Sequence, residues 1–408
     1  MSLSYGFEFQ TPENLKDVHC SIEKGFHKKE VLYYSQINAT QISFDKSQLE
    51  PYRLPLAKTL NNGDWNTRNG YKLFQAKKFG ENESRIRNLL LITIKYELTK
   101  YGTKYIRPKV LCHSGLFCDV INNSKETYDV ICYDGQLIFS STNRRLDQNL
   151  LISYIGIRFE DLLKYNDVTQ KTRDNFKHFK TLGEGYIGDK EQGDVISFLS
   201  VTEIDSLKGT KDKEPGKYTE IKLTISHGMN WKKLQTSDNT AFLATMSRAV
   251  SGFERKLLKW ILQCKFGMSK HLLVGLRDGS FNVRAVHLFS LEKDLIPFLK
   301  RHYRREYSIY VSAIDKLQQF FAWIEQSIEK NKDCTVYRLE INGYSCKLSP
   351  LVSPEESEQV FNNVMIKPFI QWRETKKDSL VDCKDVVEPA VEPAVDNLSQ
   401  ALEATHIR

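Results

Sequence analysis

Apolar positions change period several times along this chain, and each change predicts an element. Short apolar runs bounded by turn residues predict strands at 91–96, 105–112, 128–133 and 136–140, with Asp134-Gly135 as the hairpin turn between the last two. Ile152, Ile155, Phe159 and Leu162 or Leu163 recur at helical spacing and predict a helix over 150–164, with Asp147 and Asn149 as candidate caps. Two strong strands are predicted at 195–205 and 217–225. A second helical stripe, Phe253, Leu257, Trp260, Ile261 and Cys264, covers about 252–266. A strand at 271–275 runs into a turn at Asp278-Gly279, and the last third predicts a helix at 312–330 and strands at 335–341 and 343–348. Asn61–Asp64 and Asn69-Gly70 mark turns. No long-period repeat and no convincing interior linker occur. The expected architecture is a mixed α/β (α+β) fold, with residues 1–380 as a single domain.

Composition narrows the classes. With 40% hydrophobic residues, 22 Phe and 19 Tyr, the chain has ample material for a core. The apolar run Leu89–Ile92 is four residues, and no run approaches the roughly 20 a membrane span needs, so no membrane association is expected. The N-terminal stretch has no basic region followed by an apolar one, so no secretory signal is expected. The eight cysteines include no CxxC pair and sit mostly in apolar surroundings, as free thiols do in a reducing compartment. Cys112, His113 and Cys118 lack a second ligand pair at zinc-finger spacing. Charge is uneven: residues 381–408 carry six acids and two bases, which leaves the other 380 residues at +12. The acidic end, with its Val-Glu-Pro-Ala repeat at 387–394, is expected to be a disordered tail. The basic body favours a polyanion, with nucleic acid as the leading class.

The most informative stretch is 195–227. In a strand, residues two apart share a face, so Val195, Ser197, Leu199, Val201, Glu203 and Asp205 line up, as do Tyr218, Glu220, Lys222 and Thr224. If the two strands pair as a hairpin, three carboxylates and an ammonium converge. Carboxylates that close raise one another's pKa, and a hard divalent cation relieves the conflict. The Glu-x-Lys spacing adds a cation suited to phosphate or the attacking water, so the set fits metal-assisted phosphodiester hydrolysis. E-x-D and E-x-K are short and common, so the spacing also fits a solvated polar face. Gly156 and Glu160 lie one turn apart on the predicted helix, where the glycine is expected to let the helix approach a sheet and deliver a further carboxylate.

With these residues in place, the chain resembles the DXO family of decapping exoribonucleases, which act on RNA 5′ ends. Gly156 to Glu160 matches the family's G-Φ-x-Φ-E motif, Glu203 with Asp205 its E-x-D, and Glu220 with Lys222 its E-x-K. FERKLLKWILQ, ending at Gln263, resembles the helix that supplies a phosphate-contacting glutamine, and LLVGLRDG at 272–279 the strand and turn that follow. The five motifs stand in order, and a fainter likeness extends from about residue 100 to 375. The resemblance implies two twisted sheets flanked by helices around a cleft, with a core similar to the restriction-type nucleases. It implies direct metal binding by Glu160, Asp205 and Glu220 with the Ile221 carbonyl, and a second metal or bridging water at Glu203. Lys222 and Gln263 would hold the scissile phosphate. The implied catalytic set is Glu203, Asp205, Glu220 and Lys222; the implied cofactor is Mg²⁺ or Mn²⁺, two ions during turnover; the implied partners are capped and 5′-monophosphate RNA ends. No obligate protein partner is evident. A fungal, cytoplasmic branch is the closest likeness, with the nucleus as the alternative.

One position departs from the pattern. Where the family usually carries an arginine that contacts RNA near its 5′ end, the stretch Leu111–Gly115 has Ser114, which cannot give a bidentate charged contact. Pyrophosphate release from triphosphorylated RNA is therefore doubtful, and Ser114→Arg is expected to restore some of it provided the neighbouring backbone aims the guanidinium into the cleft. Basic segments with interleaved aromatics at Lys171–Lys180 and Lys300–Tyr307 fit either RNA tracking or amphipathic helix faces. No HExxH, Walker loop, Rossmann fingerprint or GxSxG elbow occurs. The expected function is a metal-dependent decapping nuclease that removes the cap as a cap dinucleotide and then degrades the body 5′→3′. The alternatives are a non-catalytic RNA-binding scaffold supporting a separate exonuclease, and a restriction-type DNA nuclease.

Overall fold

The computed structural model describes residues 4–374, apart from 10–20, 39–40, 75–82, 106–107, 143–149, 166–176, 191–192, 210–216, 228 and 331–334. Met1–Arg373 forms one compact unit. In the second unit, Glu374–Arg408, all but Glu374 lies outside the described residues, and so does the expected acidic tail.

Fourteen strands are described. In chain order they are β1 (Tyr5–Glu8), β2 (Phe26–Gln36), β3 (Ile42–Ser43), β4 (Val110–His113), β5 (Lys125–Tyr133), β6 (Gln136–Ser141), β7 (His178–Asp189) and β8 (Asp194–Ile204). Then follow β9 (Ser206–Leu207), β10 (Tyr218–Ile225), β11 (His271–Arg277), β12 (Val283–Ser290), β13 (Val336–Asn342) and β14 (Ser345–Pro350). Ten of them form one mixed sheet in the order β1-β14-β13-β5-β6-β4-β8-β7-β2-β3, and four form a second in the order β12-β11-β10-β9. Side-chain alternation divides the large sheet between two cores. Ile196 and Phe198 of β8 enter the larger one, with the helices Gly115–Ile121, Phe253–Gly267 and Ala313–Glu329. Leu199 and Val201 enter the other, under the helix Glu83–Tyr101. The small sheet is buried on both faces: Leu272, Val274 and Leu276 join the larger core, whereas Ile221 and Leu273 pack with Phe159, Leu162 and Leu163 of the helix Leu150–Tyr165.

Three expectations need correction. Residues 91–96 lie in the helix Glu83–Tyr101, not in a strand. Leu89, Leu90, Leu91, Ile92, Ile94 and Tyr96 are all buried, and a helix buried nearly all round has no polar face to reveal its period. Ile152 lies off the buried stripe of its helix and is 51% exposed. The strands at 195–205 and 217–225 do not form a hairpin: β8 pairs with β4 and β7, while β10 pairs with β9 and β11. The Asp134-Gly135 hairpin forms as read, with both residues at positive φ (47° and 77°), which the tight antiparallel turn between β5 and β6 requires.

Candidate active site

The acids come together because the chain changes sheets between β8 and β9. Glu203 is the penultimate residue of β8, and Asp205 is the single residue separating β8 from β9. β9 then pairs with the start of β10, with Thr219 opposite Ser206 and Tyr218 opposite Leu207. This carries Asp205 across the seam, where its Oδ2 accepts a hydrogen bond from the Ile221 backbone N–H at 2.8 Å. Glu220 and Lys222 flank Ile221 on the alternate face of β10, and the Lys222 ammonium donates to Glu220 Oε1. The convergence expected of a hairpin is thus achieved by a sheet switch.

Glu160 arrives on the helix Leu150–Tyr165. Nothing lies within 4 Å of where a side chain at Gly156 would begin, so that glycine is not the point of close approach. Gly275 on β11 is: a Cβ there would sit 2.3 Å from Phe159 Cζ. The ring fills that space and fixes the turn that bears Glu160. Lys164, one turn on, lies 3.5 Å from the Glu160 carboxylate. Glu203 is the most open of the four acids, with its side chain 44% exposed, and pairs with His178 Nδ1 at 2.8 Å and with Lys180 at 4.0 Å. Lys180 is its cross-strand neighbour on β7, so this end of the Lys171–Lys180 segment serves the site from within a strand; 171–176 lie outside the described residues. The Lys300–Tyr307 segment spans the ends of two short helices, with the Lys300 ammonium 5.6 Å from the Tyr307 ring.

The helix Phe253–Gly267 packs against β8, β10 and β11 and holds half-buried Gln263. Its neighbour Cys264 has its thiol pushed well up by burial and then by Glu220, which puts this turn beside the acids. Asp205 has its carboxyl held well above the ordinary range, first by loss of water and then by Glu220 and Glu160; Lys222 opposes this and Glu203 adds to it. Burial alone would lower the Lys222 ammonium, but Glu220 and Asp205 hold it above its ordinary value. The four acids and one lysine therefore share a single electrostatic neighbourhood.

An all-oxygen donor set around a destabilised carboxylate suits a hard divalent cation. Among the described residues no three acidic, His or Cys side chains are drawn into a preassembled cage. The reason is local: Lys164, His178 and Lys222 each hold one carboxylate, and the Ile221 N–H holds Asp205. Lys164 was detectable as the i+4 partner of Glu160, but Gly275 and His178 are brought in by long-range pairing that leaves no local signal.

Ser114 does not face an open cleft. It is 6% exposed at the start of the helix Gly115–Ile121, and its Oγ accepts a hydrogen bond from Lys28 Nζ at 2.9 Å and donates to Ser200 Oγ at 3.3 Å. An arginine there would meet Lys28 before any substrate, which argues against the expected rescue by Ser114→Arg. Cys112, Cys118 and Cys264 are buried free thiols.

Comparison with known proteins follows this geometry. Residues 27–366 match the family model described as RAI1-like PD-(D/E)XK nuclease. The decapping nuclease RAI1 of Kluyveromyces lactis is 24% identical over 387 residues, covering 85% of this chain and 93% of that protein. That of Scheffersomyces stipitis is 22% identical over 364 residues, covering 79% and 87%. Among solved structures, Candida albicans Rai1 in complex with pU5-Mn²⁺ superposes with a TM-score of 0.67 at 20% identity, covering 91% of this chain and 99% of that one. Kluyveromyces lactis Dxo1 in complex with manganese gives 0.55 at 16% identity, covering 86% and 99%. The family match, residues 27–366, extends from β2 through β14 and takes in the seam between the two sheets, so the chain belongs to the RAI1-like PD-(D/E)XK nuclease family.

Proposed function

We propose that this protein is a divalent-metal-dependent RNA 5′-end nuclease that removes an intact cap as a cap dinucleotide and degrades 5′-monophosphate RNA 5′→3′. The observation that carries the reading is the seam itself, where Asp205 bonds to the Ile221 N–H among Glu160, Glu203, Glu220 and Lys222. A scaffold has no use for a carboxylate held that far from its ordinary range, and the cost is met when a cation binds. The names of the relatives support RNA ends as substrate, since those proteins are called decapping nucleases.

In this reading Glu160, Asp205, Glu220 and the Ile221 carbonyl would hold one ion, and Glu203 would hold a second ion or a bridging water. The ions would supply Lewis-acid stabilisation of the attacking and leaving oxygens. Lys222, kept charged by its acidic neighbours, offsets charge that builds on the phosphoryl oxygens, and Gln263 orients the scissile phosphate. Ser114 offers no charge to a terminal phosphate, so little pyrophosphate is expected from 5′-triphosphate RNA.

The test is incubation of the full chain with 5′-labelled capped RNA and Mn²⁺, with and without chelator. Release of a cap dinucleotide that stops with chelator supports the reading. RNA binding without cleavage would point to a scaffold, and preferential cutting of DNA to a restriction-type nuclease.

A further inference from the structure

Lys28 on β2 donates hydrogen bonds to three neutral oxygens: Ser114 Oγ at 2.9 Å, Thr202 Oγ1 at 2.7 Å and the Phe266 backbone carbonyl at 3.0 Å. That uses all three hydrogens of its ammonium. The Ser114 and Thr202 hydroxyls are also bonded to each other. The acceptors belong to three different elements. Ser114 starts the helix after β4, Thr202 immediately precedes Glu203 on β8, and Phe266 lies in the last turn of the helix that carries Gln263.

The surrounding sheet is shaped for this side chain. A Cβ on Gly183 of β7 would lie 2.2 Å from Lys28 Cε, 2.8 Å from Cγ and 3.0 Å from Cδ. Among the described residues no carboxylate forms an ion pair with the ammonium, and burial lowers its pKa to about 7. An apolar side chain of similar length would fill the same channel without that desolvation cost. What the ammonium adds is directional: one rigid point tying three elements together.

We infer that Lys28 is a positioning residue of the nuclease, fixing the end of β8 against the helix Phe253–Gly267 so that Glu203, Asp205 and Gln263 keep one mutual geometry. The inference rests on the nuclease reading but has its own readout. Its reach is short, because Thr202 is covalently next to Glu203 and Phe266 is three residues from Gln263. Misplacement of catalytic groups by about 1 Å costs on the order of a hundredfold in rate.

The test uses the full chain with Lys28→Met and, as a milder change, the near-isosteric Thr202→Val. Steady-state kinetics on 5′-monophosphate RNA with Mn²⁺ should show kcat reduced roughly ten- to a hundredfold in Lys28→Met, with KM changed less than about threefold. Combining the two substitutions should give much less than the product of the separate losses, since both break one clamp. Amide hydrogen exchange should quicken at residues 202–206 and 264–267 in both variants. The inference is overturned by a kcat per folded molecule within twofold of the unaltered chain, by a KM rise at constant kcat (an RNA contact instead), or by unchanged exchange at those amides. The exchange arm decides the matter even if the unaltered chain proves inactive on RNA, an outcome that would sink the nuclease reading by itself.

Discussion

Lys222 on β10 lies among carboxylates, with Glu220 in contact and Asp205 and Glu160 nearby, and its ammonium is held above its ordinary pKa. Lys28 on β2 lies among hydroxyls and a carbonyl, and its ammonium is lowered to about 7. Both are removed from bulk water, so the loss of solvent pulls both the same way. The sign of each shift is decided by the company each lysine keeps. The acidic pocket stores repulsion that a bound cation would relieve, and its lysine is held charged by Glu220 and Asp205. The neutral pocket spends its cation on holding elements together. Two lysines near one site are thus shifted in opposite directions, and their own residue type does not tell them apart.

The acidic pocket is broken most completely by Glu203→Ala combined with Asp205→Ala. Turnover on capped and 5′-monophosphate RNA should fall by a factor on the order of a thousand or more. The apoprotein's thermal midpoint should hold or rise, because like charges are removed. Surviving turnover would show that the acids are not the reacting centre.

Lys222→Met sharpens the contrast. Rate should drop on the order of a hundred- to a thousandfold, and the metal-free midpoint should fall because Glu220, 8% exposed, loses its cation. Added Mn²⁺ should then raise the midpoint further than it does in the unaltered chain. An equal rise in both, read by differential scanning fluorimetry, would separate Lys222 from the metal-binding acids.

In the neutral pocket, Ser114→Arg puts a second cation beside Lys28. It should cost about 3 kcal/mol or more of stability and yield no added pyrophosphate from γ-labelled triphosphate RNA. A stable variant that releases pyrophosphate would mean the guanidinium finds the cleft after all.

The last test is a pH dependence. The unfolded chain keeps the Lys28 proton up to about pH 10.5, the folded chain only to about 7, so across that window the unfolded state binds more protons and stability rises with pH. Lys28→Met lacks this titration, so the unaltered chain's midpoint should gain on the variant's between pH 7 and pH 10. Lys316, also lowered to about 7 by burial, is present in both and cancels. A flat or narrowing gap would mean the ammonium is not depressed.

Elements with a strong local signature were legible in the sequence. Asp134-Gly135 announces its hairpin, and the stripe from Phe253 to Cys264 announces its helix. The residues of the acid cluster were also readable, because Glu203, Asp205, Glu220 and Lys222 lie within twenty positions at meaningful spacings. How they meet was not. A hairpin and a sheet switch give the same alternation along each strand, and only the distant partners β4, β7 and β11 distinguish them. Residues 91–96 fit a strand in the sequence because a helix buried nearly all round looks like a buried strand over six residues. Lys28 left no trace either: within FHKKEVLYYSQ it is one of two adjacent lysines, and only the gap over Gly183 on another strand picks it out.

The switch at Asp205 also bears on when this protein acquires its chemistry. β8 needs β4 and β7 beside it, β10 needs β11, and Glu160 needs Gly275, so segments from residue 110 to residue 277 must be in place before the acids meet. Contacts so distant in sequence form late in folding. A nascent chain or a proteolytic fragment that stops short of β11 has all the ingredients of the acid cluster and no means of assembling it.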